Sequence, residues 1–470
     1  MQKNDVREGT VVSVGMNGEG VLKDDGKVVF VPFVLSGERI RYKVLKVDGN
    51  IAYGKVLEVF TPAEERVRPK CSVFGKCGGC QLQHVKYPEQ LKIKQEKVRT
   101  CFSKIAFLDV AVSPCVKSKN EYYYRNKLQM PVSVDKDGKT VMGFYADNSH
   151  RVVPISDCPI NATWTASVIK AFGKYFEICG LTGYNETTGK GDIREITVKD
   201  VKGNLIFTVV SVRDDLPGPE ILINILKEYF SCDFSLFFNV NKSCGNVIYG
   251  EKFRLIYGSE TFSSDMLGIK YATGVKSFMQ VNDYICSKLY NDVSNLACAD
   301  ENTVVIDAYS GAGLMTAMLA RKAKKAIGIE IEPEAVRLAN ELAHNNGLSK
   351  KISNYLGKCE EIMPDIIKEE RDKGNKIVLV LDPPRKGCDL KVINAIKDGG
   401  IDKIIYVSCK PSTLARDVGL IAGTLEYKDN GIKRVENPIL RYNVESVRPY
   451  DMFSQTKHVE TVVSLTKNKV

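Results

Sequence analysis

The sequence lacks the features of a secreted, membrane-spanning or disordered protein. None of its apolar runs approaches the length that spans a bilayer. Its first ten residues, MQKNDVREGT, are polar and lack the apolar core of a signal peptide. It contains no internal repeat and no low-complexity segment. With 44% hydrophobic and 26% charged residues in a chain of 470, we expect a cytoplasmic protein of two to four folded domains without membrane contact.

Acidic residues are scarce in one window of the chain. Residues 61–130 contain fourteen Lys and Arg against six Asp and Glu, and this surplus accounts for most of the net charge of +10. Aromatic side chains occur in the same window, among them Tyr87, Phe102 and Tyr122. Positive charge interleaved with aromatics indicates a surface for a polyanion such as RNA. A solvated charged face with aromatic core residues would give the same composition.

Three regions of the chain differ in pattern. Residues 9–59 hold short β-rich runs between Asn-Gly, Asp-Gly and Ser-Gly turns, which predicts a five-stranded antiparallel OB-like barrel. A helix is expected over 88–105 and strands over 122–255. From about residue 296 apolar strands alternate with helices, as in a parallel, doubly wound α/β sheet. The expected domains are 1–60, 61–255 and 256–470.

A glycine turn and two strand-end acids predict a cofactor site. The strand VVIDA, from residue 304, runs into the turn YSGAG, and the next strand ends in Glu330, an acid placed to hold ribose hydroxyls. The turn lacks the third glycine of G-x-G-x-x-G, which disfavours a pyrophosphate-bearing dinucleotide and favours S-adenosyl-L-methionine. Asp382, followed by two rigid prolines, ends a further strand and would hold part of the cofactor or a base.

A cysteine at another strand end predicts covalent catalysis. Cys409 follows the strand IIYVS, and the nearby Lys410 and Arg416 would lower the pKa of its thiol. A thiolate that adds to carbon 6 of uracil makes carbon 5 nucleophilic enough to accept a methyl group. The base that then removes the carbon 5 proton would be His458 or Glu460. A cysteine after a strand is also a common packing residue, but the cofactor motifs favour the catalytic role.

A cysteine cluster near the basic window predicts a metal centre. Three of the fourteen cysteines lie within ten residues, with glycines that let the backbone wrap closely: Cys71, Cys77 and Cys80. Cys158, which precedes a proline, would be the fourth ligand. Four thiolates suit either zinc or an iron–sulfur cluster, and the spacing is unlike that of zinc ribbons. Cys101 and Cys115 are interpreted as structural.

Taken together, these motifs resemble those of the S-adenosyl-L-methionine-dependent RNA (uracil-5-)-methyltransferases of the type that makes 5-methyluridine in 23S rRNA. The motifs occur in family order along the chain: SFMQVN, DAYSGAG, GIE, LDPPRKG, VSCKPSTLARD and DMFSQTKHVET. The resemblance covers essentially the whole chain. It implies an N-terminal TRAM barrel, a β-rich central iron–sulfur domain and an α/β Rossmann-like methyltransferase domain with a parallel-dominated sheet.

The resemblance also implies roles for individual residues. Cys409 would be the nucleophile and Glu460 the base, with Arg385 near the active site. S-adenosyl-L-methionine would be bound by Gln280, Tyr309, Glu330 and Asp382. A [4Fe–4S] cluster would be held by Cys71, Cys77, Cys80 and Cys158, and would fold the RNA-contacting domain.

The expected function is therefore methyl transfer to uridine carbon 5 in 23S rRNA (EC class 2.1.1), by a monomer that does not act on DNA. The tRNA T-loop uridine is an alternative substrate. The N-terminal barrel and the four cysteines favour rRNA, because the tRNA enzymes generally lack both. Another alternative is a non-catalytic RNA-binding iron–sulfur protein, and the intact Cys409, Glu460 and Gln280 count against it.

Overall fold

The computed structural model describes residues 1–243, 245 and 247–468. In this part of the chain, three large β-sheets follow one another in sequence, and helices cover the second and third. None of the described helices is long and apolar enough to cross a membrane.

The first sheet has six strands in the order β1-β5-β6-β4-β3-β2. These are β1 (Val6–Thr10), β2 (Ser13–Val14), β3 (Gly20–Asp24), β4 (Lys27–Val31), β5 (Arg39–Asp48) and β6 (Ile51–Thr61). The β4–β6 pair is parallel, and the other pairs are antiparallel. The prediction of five wholly antiparallel strands is therefore wrong in strand number and in one pairing. Closure of this sheet into a barrel stays a prediction.

A basic helix follows the cysteine-rich loop. Helix α1 (Tyr87–Cys101) has Pro88 in its first turn, where the missing N–H costs no helical hydrogen bond, and Arg99 in its last turn, where it complements the helix dipole. It continues into a π-helical turn, Phe102–Ala106, which ends at Phe107 in the left-handed conformation. The helix predicted over 88–105 is thus present, with a change of winding in its last turn.

The second sheet has the strand order β13-β12-β11-β10-β7-β8-β9. Its strands are β7 (Lys127–Val134), β8 (Thr140–Tyr145), β9 (Val152–Pro154), β10 (Ile193–Val201), β11 (Asn204–Ser211), β12 (Phe234–Val240) and β13 (Lys252–Tyr257). Helices α2 (Thr165–Cys179) and α3 (Pro219–Tyr229) pack their apolar faces on it, around Phe172 and Phe207.

The third sheet has the order β18-β17-β16-β19-β20-β24-β23. Its strands are β16 (Thr303–Ala308), β17 (Lys325–Glu330), β18 (Ile352–Leu356), β19 (Lys376–Leu381), β20 (Lys403–Ser408), β23 (Tyr442–Tyr450) and β24 (Glu460–Lys467). The five strands from β18 to β20 run parallel, while β24 is antiparallel to both of its neighbours. The predicted α/β architecture with a parallel-dominated sheet is confirmed.

Helices cover both faces of the third sheet, and two hairpins project from it. The helices are α4 (Asp283–Ala297), α5 (Leu314–Ala320), α6 (Pro333–Asn345), α7 (Cys359–Asp372), α8 (Leu390–Gly399) and α9 (Pro411–Ala422). The hairpins are β14 (Thr261–Met266) with β15 (Ile269–Gly274), and β21 (Leu425–Lys428) with β22 (Gly431–Arg434). The side chain of Asn282 caps α4 by accepting the N–H of Ile285.

The core of the third sheet recruits chain from the predicted central domain. Val98, Phe102 and Leu108 belong to the same apolar cluster as the side chains under β16, β19 and β20. Val112 and Val116 form isolated parallel bridges to β23. The segment from α1 to residue 116 therefore packs with the C-terminal sheet, because its apolar face has its partners there. The domain boundaries 1–60, 61–255 and 256–470 stay a prediction.

Candidate active site

The carboxyl ends of β16 and β17 bring the glycine turn against Glu330. Tyr309 follows β16 with φ of +70°, a left-handed conformation that is uncommon for a residue other than glycine. The turn places the N–H of Gly311 2.9 Å from Oε2 of Glu330. Oε1 accepts the N–H groups of Ile331 and Glu332 at 2.7 and 3.0 Å. The backbone thus fixes this carboxylate, and both oxygens keep lone pairs for further donors.

A cavity of about 790 Å³ opens beside the turn, a volume in the range of small-molecule sites. Gln280, Tyr309 and Asp382 line it, and Glu330 accepts the N–H of Gly311, which also lines it. The structure therefore brings the four predicted cofactor residues to one edge of the sheet. Their role in binding stays a prediction.

Two acids give this cavity a negative character. Asp307 is buried, accepts the hydroxyl of Thr316 at 2.6 Å, and has its pKa raised to about 7 by burial. Asp382 is exposed towards the cavity, and desolvation by the surrounding protein raises its pKa. A cationic ligand would favour the ionised form of both groups.

The cavity wall that carries Gln280 is tied to the second sheet by a buried lysine. Lys199 of β10 is 3% exposed, and its ammonium donates to the carbonyl oxygens of Gly274, Val275 and Ser277 at 3.1, 2.6 and 2.6 Å. Burial lowers its pKa to about 7, while the three carbonyl dipoles favour the charged form. The sequence patterns did not predict a role for Lys199. Its only signal is a lysine within the apolar strand pattern of β10.

Strand register brings Cys409 and Glu460 together. Ser408, the last residue of β20, pairs with Thr461 of β24. The next position on each strand, Cys409 on one and Glu460 on the other, therefore lies at the same end of the same antiparallel pair. The cavity reaches this pair through Val407 and Asp382, which line it.

Burial and charges act against each other on the Cys409 thiol. Burial raises its pKa, and the neighbouring Glu460 raises it further. A hydrogen bond and the positive charge of Arg385 lower it. The prediction that Lys410 and Arg416 lower this pKa is wrong, because the net shift is upward and the cation that opposes it is Arg385. Arg416 instead forms an ion pair with Asp417 at 2.7 Å. Arg385 is the cation that bonds to the thiol.

Glu460 and His458 differ in their surroundings. Glu460 is 3% exposed, and burial together with Asp382 raises its pKa well above the usual value, while Arg385 opposes the shift. His458 is half-buried against the ring of Phe453. Burial and nearby cations lower the pKa of His458 to about 4, so it is neutral at pH 7. Of the two predicted bases, Glu460 is the one whose charge raises the pKa of the Cys409 thiol.

A buried ion pair holds the loop before Glu460. Lys94 of α1 and Asp451 are both buried, and the ammonium donates to Oδ1 of the carboxylate. Oδ2 accepts the hydroxyls of Tyr87 and Ser454 at 2.7 and 2.6 Å. Helix α1 therefore positions the loop that leads to the predicted base. The contacts of Lys94 and Tyr87 with Asp451 join residues more than 350 positions apart, which is why the sequence pattern did not show them.

The same loop is bonded to the cysteine-rich loop. The N–H groups of Gln81 and Leu82 donate to the carbonyl of Gln455 at 3.2 and 3.0 Å. The side chain of Gln81 donates to the carbonyl of Gly78 and accepts the N–H of Lys457. The loop of Cys77 and Cys80 and the loop of Glu460 therefore form one hydrogen-bonded unit.

Among the described residues, no group of three or more His, Cys, Asp or Glu is positioned to hold a metal ion. The four predicted ligands nevertheless lie near one another. Besides burial, the thiols of Cys158, Cys77 and Cys71 raise the pKa of Cys80, which reaches about 12. The N–H of Gly79 points at Sγ of Cys77, 3.4 Å away. The metal site stays a prediction.

A parallel-dominated sheet with a ligand cavity at its carboxyl edge, a cysteine and an acid define an α/β transferase of the methyltransferase class. Residues 257–468 match the family model described as tRNA (Uracil-5-)-methyltransferase. An uncharacterized RNA methyltransferase of Clostridium tetani is 35% identical, over 99% of this chain and 97% of the relative. One from Bacillus cereus is also 35% identical, over 99% and 98%. The chain therefore belongs to the RNA methyltransferase family.

A solved structure shares the fold over almost the whole chain. The tRNA (uracil-54, C5)-methyltransferase of Pyrococcus abyssi, crystallised with S-adenosyl-L-homocysteine, has a TM-score of 0.75 and 24% identity. The match covers 98% of this chain and 99% of that one. An arrangement that spans the N-terminal sheet therefore occurs in a tRNA enzyme. The expectation that this part of the chain separates rRNA enzymes from tRNA enzymes loses its support.

Proposed function

We propose that this protein transfers a methyl group from S-adenosyl-L-methionine to carbon 5 of uridines in RNA, with 23S rRNA as the substrate. The observation that carries the proposal is the β20–β24 register, which sets Cys409 beside Glu460 at the edge of the cavity. This pair is the nucleophile and the base that the chemistry of uracil carbon 5 requires.

The cavity suits S-adenosyl-L-methionine. Its acids, Asp307 and Asp382, face a space in which a sulfonium and an ammonium group would offset their charge. Glu330, fixed by three backbone N–H groups, would accept the ribose hydroxyls. Gln280 and Tyr309 would complete the binding wall. When bound, the cofactor supplies the electrophilic methyl group.

The residues of the chain then carry out the other steps. Arg385 holds the Cys409 thiolate, which adds to carbon 6 of the uracil ring and makes carbon 5 nucleophilic. After carbon 5 is methylated, the Glu460 carboxylate removes the proton from it. The electron pair of that C–H bond re-forms the carbon 5–carbon 6 double bond, and Cys409 leaves as a thiolate. The raised pKa of Glu460 makes it a stronger base than an exposed glutamate.

We also propose a [4Fe–4S] cluster on Cys71, Cys77, Cys80 and Cys158. The proximity of these thiols supports it, as does the backbone N–H of Gly79, which points at the sulfur of Cys77. Since the cysteine loop is bonded to the loop of Glu460, the cluster would stabilise both. The N-terminal sheet would act as a TRAM-type RNA-binding barrel in a monomeric protein.

Methylation of tRNA is the second candidate, because the solved enzyme with the same full-length fold is named for tRNA. Tritium release from RNA transcripts labelled at uridine carbon 5 separates the two. Release from 23S rRNA transcripts alone supports the proposal, and release from tRNA alone replaces its substrate. Cys409→Ala should abolish release from either RNA. Release by that variant at the wild-type rate would remove Cys409 from the mechanism.

The cluster has its own test. Protein purified without oxygen should be brown, with absorbance at roughly 400 nm from a thiolate-ligated iron–sulfur cluster. Cys158→Ser should lose this absorbance and bound iron, while Cys232→Ser, at a half-buried cysteine outside the loop, should keep both. A colourless wild type that contains zinc would replace the cluster with zinc, and a brown Cys158→Ser protein would exclude Cys158 as a ligand.

A further inference from the structure

A group of cations without carboxylate partners lies beside the loop that leads to Glu460. The ammonium of Lys97 donates to the carbonyl oxygen of Lys457 at 2.9 Å, so α1 and the loop before Glu460 present their charges side by side. Both side chains are half-buried and reached by solvent. Within the described part of the chain, neither forms an ion pair.

The neighbouring charges do not neutralise this group. The charges of Lys97, Lys457 and Arg385 all lower the pKa of His458, which lies near all three cations. The adjacent Lys94 is already paired with Asp451. The charge of Glu19 reaches Lys97 without an ion pair between them in the described structure. Like charges held this close are costly unless an anion binds between them.

We propose that Lys97 and Lys457 form a binding site for a backbone phosphate of the RNA strand, next to the nucleotide that enters the active site. The inference rests on the proposed function and names one contact that places the substrate. A phosphodiester offers two anionic oxygens that accept from both ammonium groups. Its position beside Arg385 and His458 would hold the strand so that one base can reach Cys409.

The supporting physics is the desolvation of Lys97. Burial and the charges of Lys457 and Lys94 lower the pKa of Lys97 to about 8. A bound phosphate would raise the pKa of Lys97 again, because its negative charge favours the protonated ammonium. Lys92, on the same helix, provides the contrast, because it is 72% exposed and already pairs with Glu89 at 2.9 Å.

The test is the salt dependence of RNA binding by the full-length protein. The probe is a fluorescein-labelled oligouridylate of about twelve nucleotides, a length within the range of binding-site sizes of single-strand-binding proteins. Each lost phosphate contact lowers the slope of log K against log salt by about 0.7 for single strands. We expect this loss in Lys97→Met and in Lys457→Met, about twice as much in the double variant, and none in Lys97→Arg or Lys92→Met.

Two further measurements separate a phosphate site from a structural role. Tritium release by Lys97→Met should show a raised KM for RNA with kcat retained, and binding of S-adenosyl-L-homocysteine should be unchanged. An unchanged salt slope in Lys97→Met, or an equal loss in Lys92→Met, overturns the inference. A fall in kcat at an unchanged slope does the same. A wild type that neither binds RNA nor releases tritium overturns the proposed function instead.

Discussion

At the scale of single residues, opposing effects govern the reactivity of Cys409. Burial and Glu460 favour the thiol, and Arg385 favours the thiolate. Burial and Glu460 together therefore keep the Cys409 thiol largely un-ionised. Glu460 is also protonated more readily than an exposed glutamate, because its pKa is raised. Binding of the cationic cofactor would favour the ionised forms of both Cys409 and Glu460.

Arg385→Met should move the ionisation of Cys409 to higher pH. Arg385 lowers the pKa of the thiol, so its removal leaves the raising effects of burial and Glu460 unopposed. The rate at which iodoacetamide alkylates Cys409, followed by peptide mass spectrometry across pH, reports this directly. Lys410→Met is the matched control. A curve that moves as far in the control as in Arg385→Met would contradict the assignment.

Glu460→Gln should trap RNA on the protein. Without a carboxylate to remove the carbon 5 proton, the methylated ring cannot expel Cys409, and the covalent adduct accumulates. It should migrate as a slow band on a denaturing gel, while tritium release falls by at least about a hundredfold, the usual contribution of a general base. The double variant with Cys409→Ala should show no such band. A band that persists there would identify another nucleophile.

The sequence predicted the residues whose chemistry is visible in a local motif. Cys409 and Asp382 directly follow strands and Glu330 ends one, and all three lie at the carboxyl ends of parallel strands of the third sheet. Lys199 and Lys97 could not be found in this way, because their partners are backbone carbonyls in segments distant in sequence.

At the scale of elements, helix α1 joins the cysteine-rich loop to the loop before Glu460. Its buried face carries an ion pair, Lys94 with Asp451, as well as apolar residues. Gln90, one turn before Lys94 on the same helix, also donates to Oε1 of Gln455 at 2.9 Å. A helix whose polar contacts are this long-range depends on the tertiary fold for most of its stability.

Lys94→Met should lower the free energy of unfolding by about 3 kcal/mol, because it leaves the buried carboxylate of Asp451 without its cation. The hydroxyls of Tyr87 and Ser454 retain part of the stabilisation. Urea unfolding of the full chain measures the change. Lys92→Met, at an exposed position of the same helix, should cost less than about 0.5 kcal/mol. Equal losses in the two variants would contradict the role given to the pair.

Element type was more predictable than element detail. The alternation of strand and helix after residue 296 predicted the parallel sheet, and turn dipeptides indicated the first sheet. The extra strand β2 is only two residues long, and the parallel β4–β6 pairing joins distant segments. Neither leaves a periodic signal, because period-2 alternation does not reveal which strands pair.

At the scale of the whole molecule, the N-terminal sheet is attached by a buried ion pair. Glu38 is fully buried and accepts Nε and Nη2 of Arg66 at 2.5 and 2.7 Å. It also accepts the N–H of Leu35 and of Ala63. The pair fixes the strand β5 end of the sheet to the chain that leads into the cysteine-rich loop.

Arg66→Met should loosen the N-terminal sheet, because Glu38 keeps its burial and loses its cation. We expect limited proteolysis to cut near residues 61–70 several-fold faster than in the wild type, followed by gel electrophoresis of the fragments. The exposed Arg68 offers the control Arg68→Met, which should leave the cleavage rate unchanged. An unaltered rate in Arg66→Met would show that other contacts hold the sheet.

The packing of α1 has a consequence for recombination between relatives. Because α1 and the segment to residue 116 lie in the core of the third sheet, order along the chain and order in space do not coincide. A chimera joined near residue 61 exchanges one sheet, and it crosses the Glu38–Arg66 ion pair as well as the packing of Leu35 on Leu82 and of Phe33 on Phe74. A chimera joined near residue 255 would give the catalytic sheet a foreign helix in its core and a foreign partner for Asp451. The middle of the chain and the third sheet must therefore be inherited together.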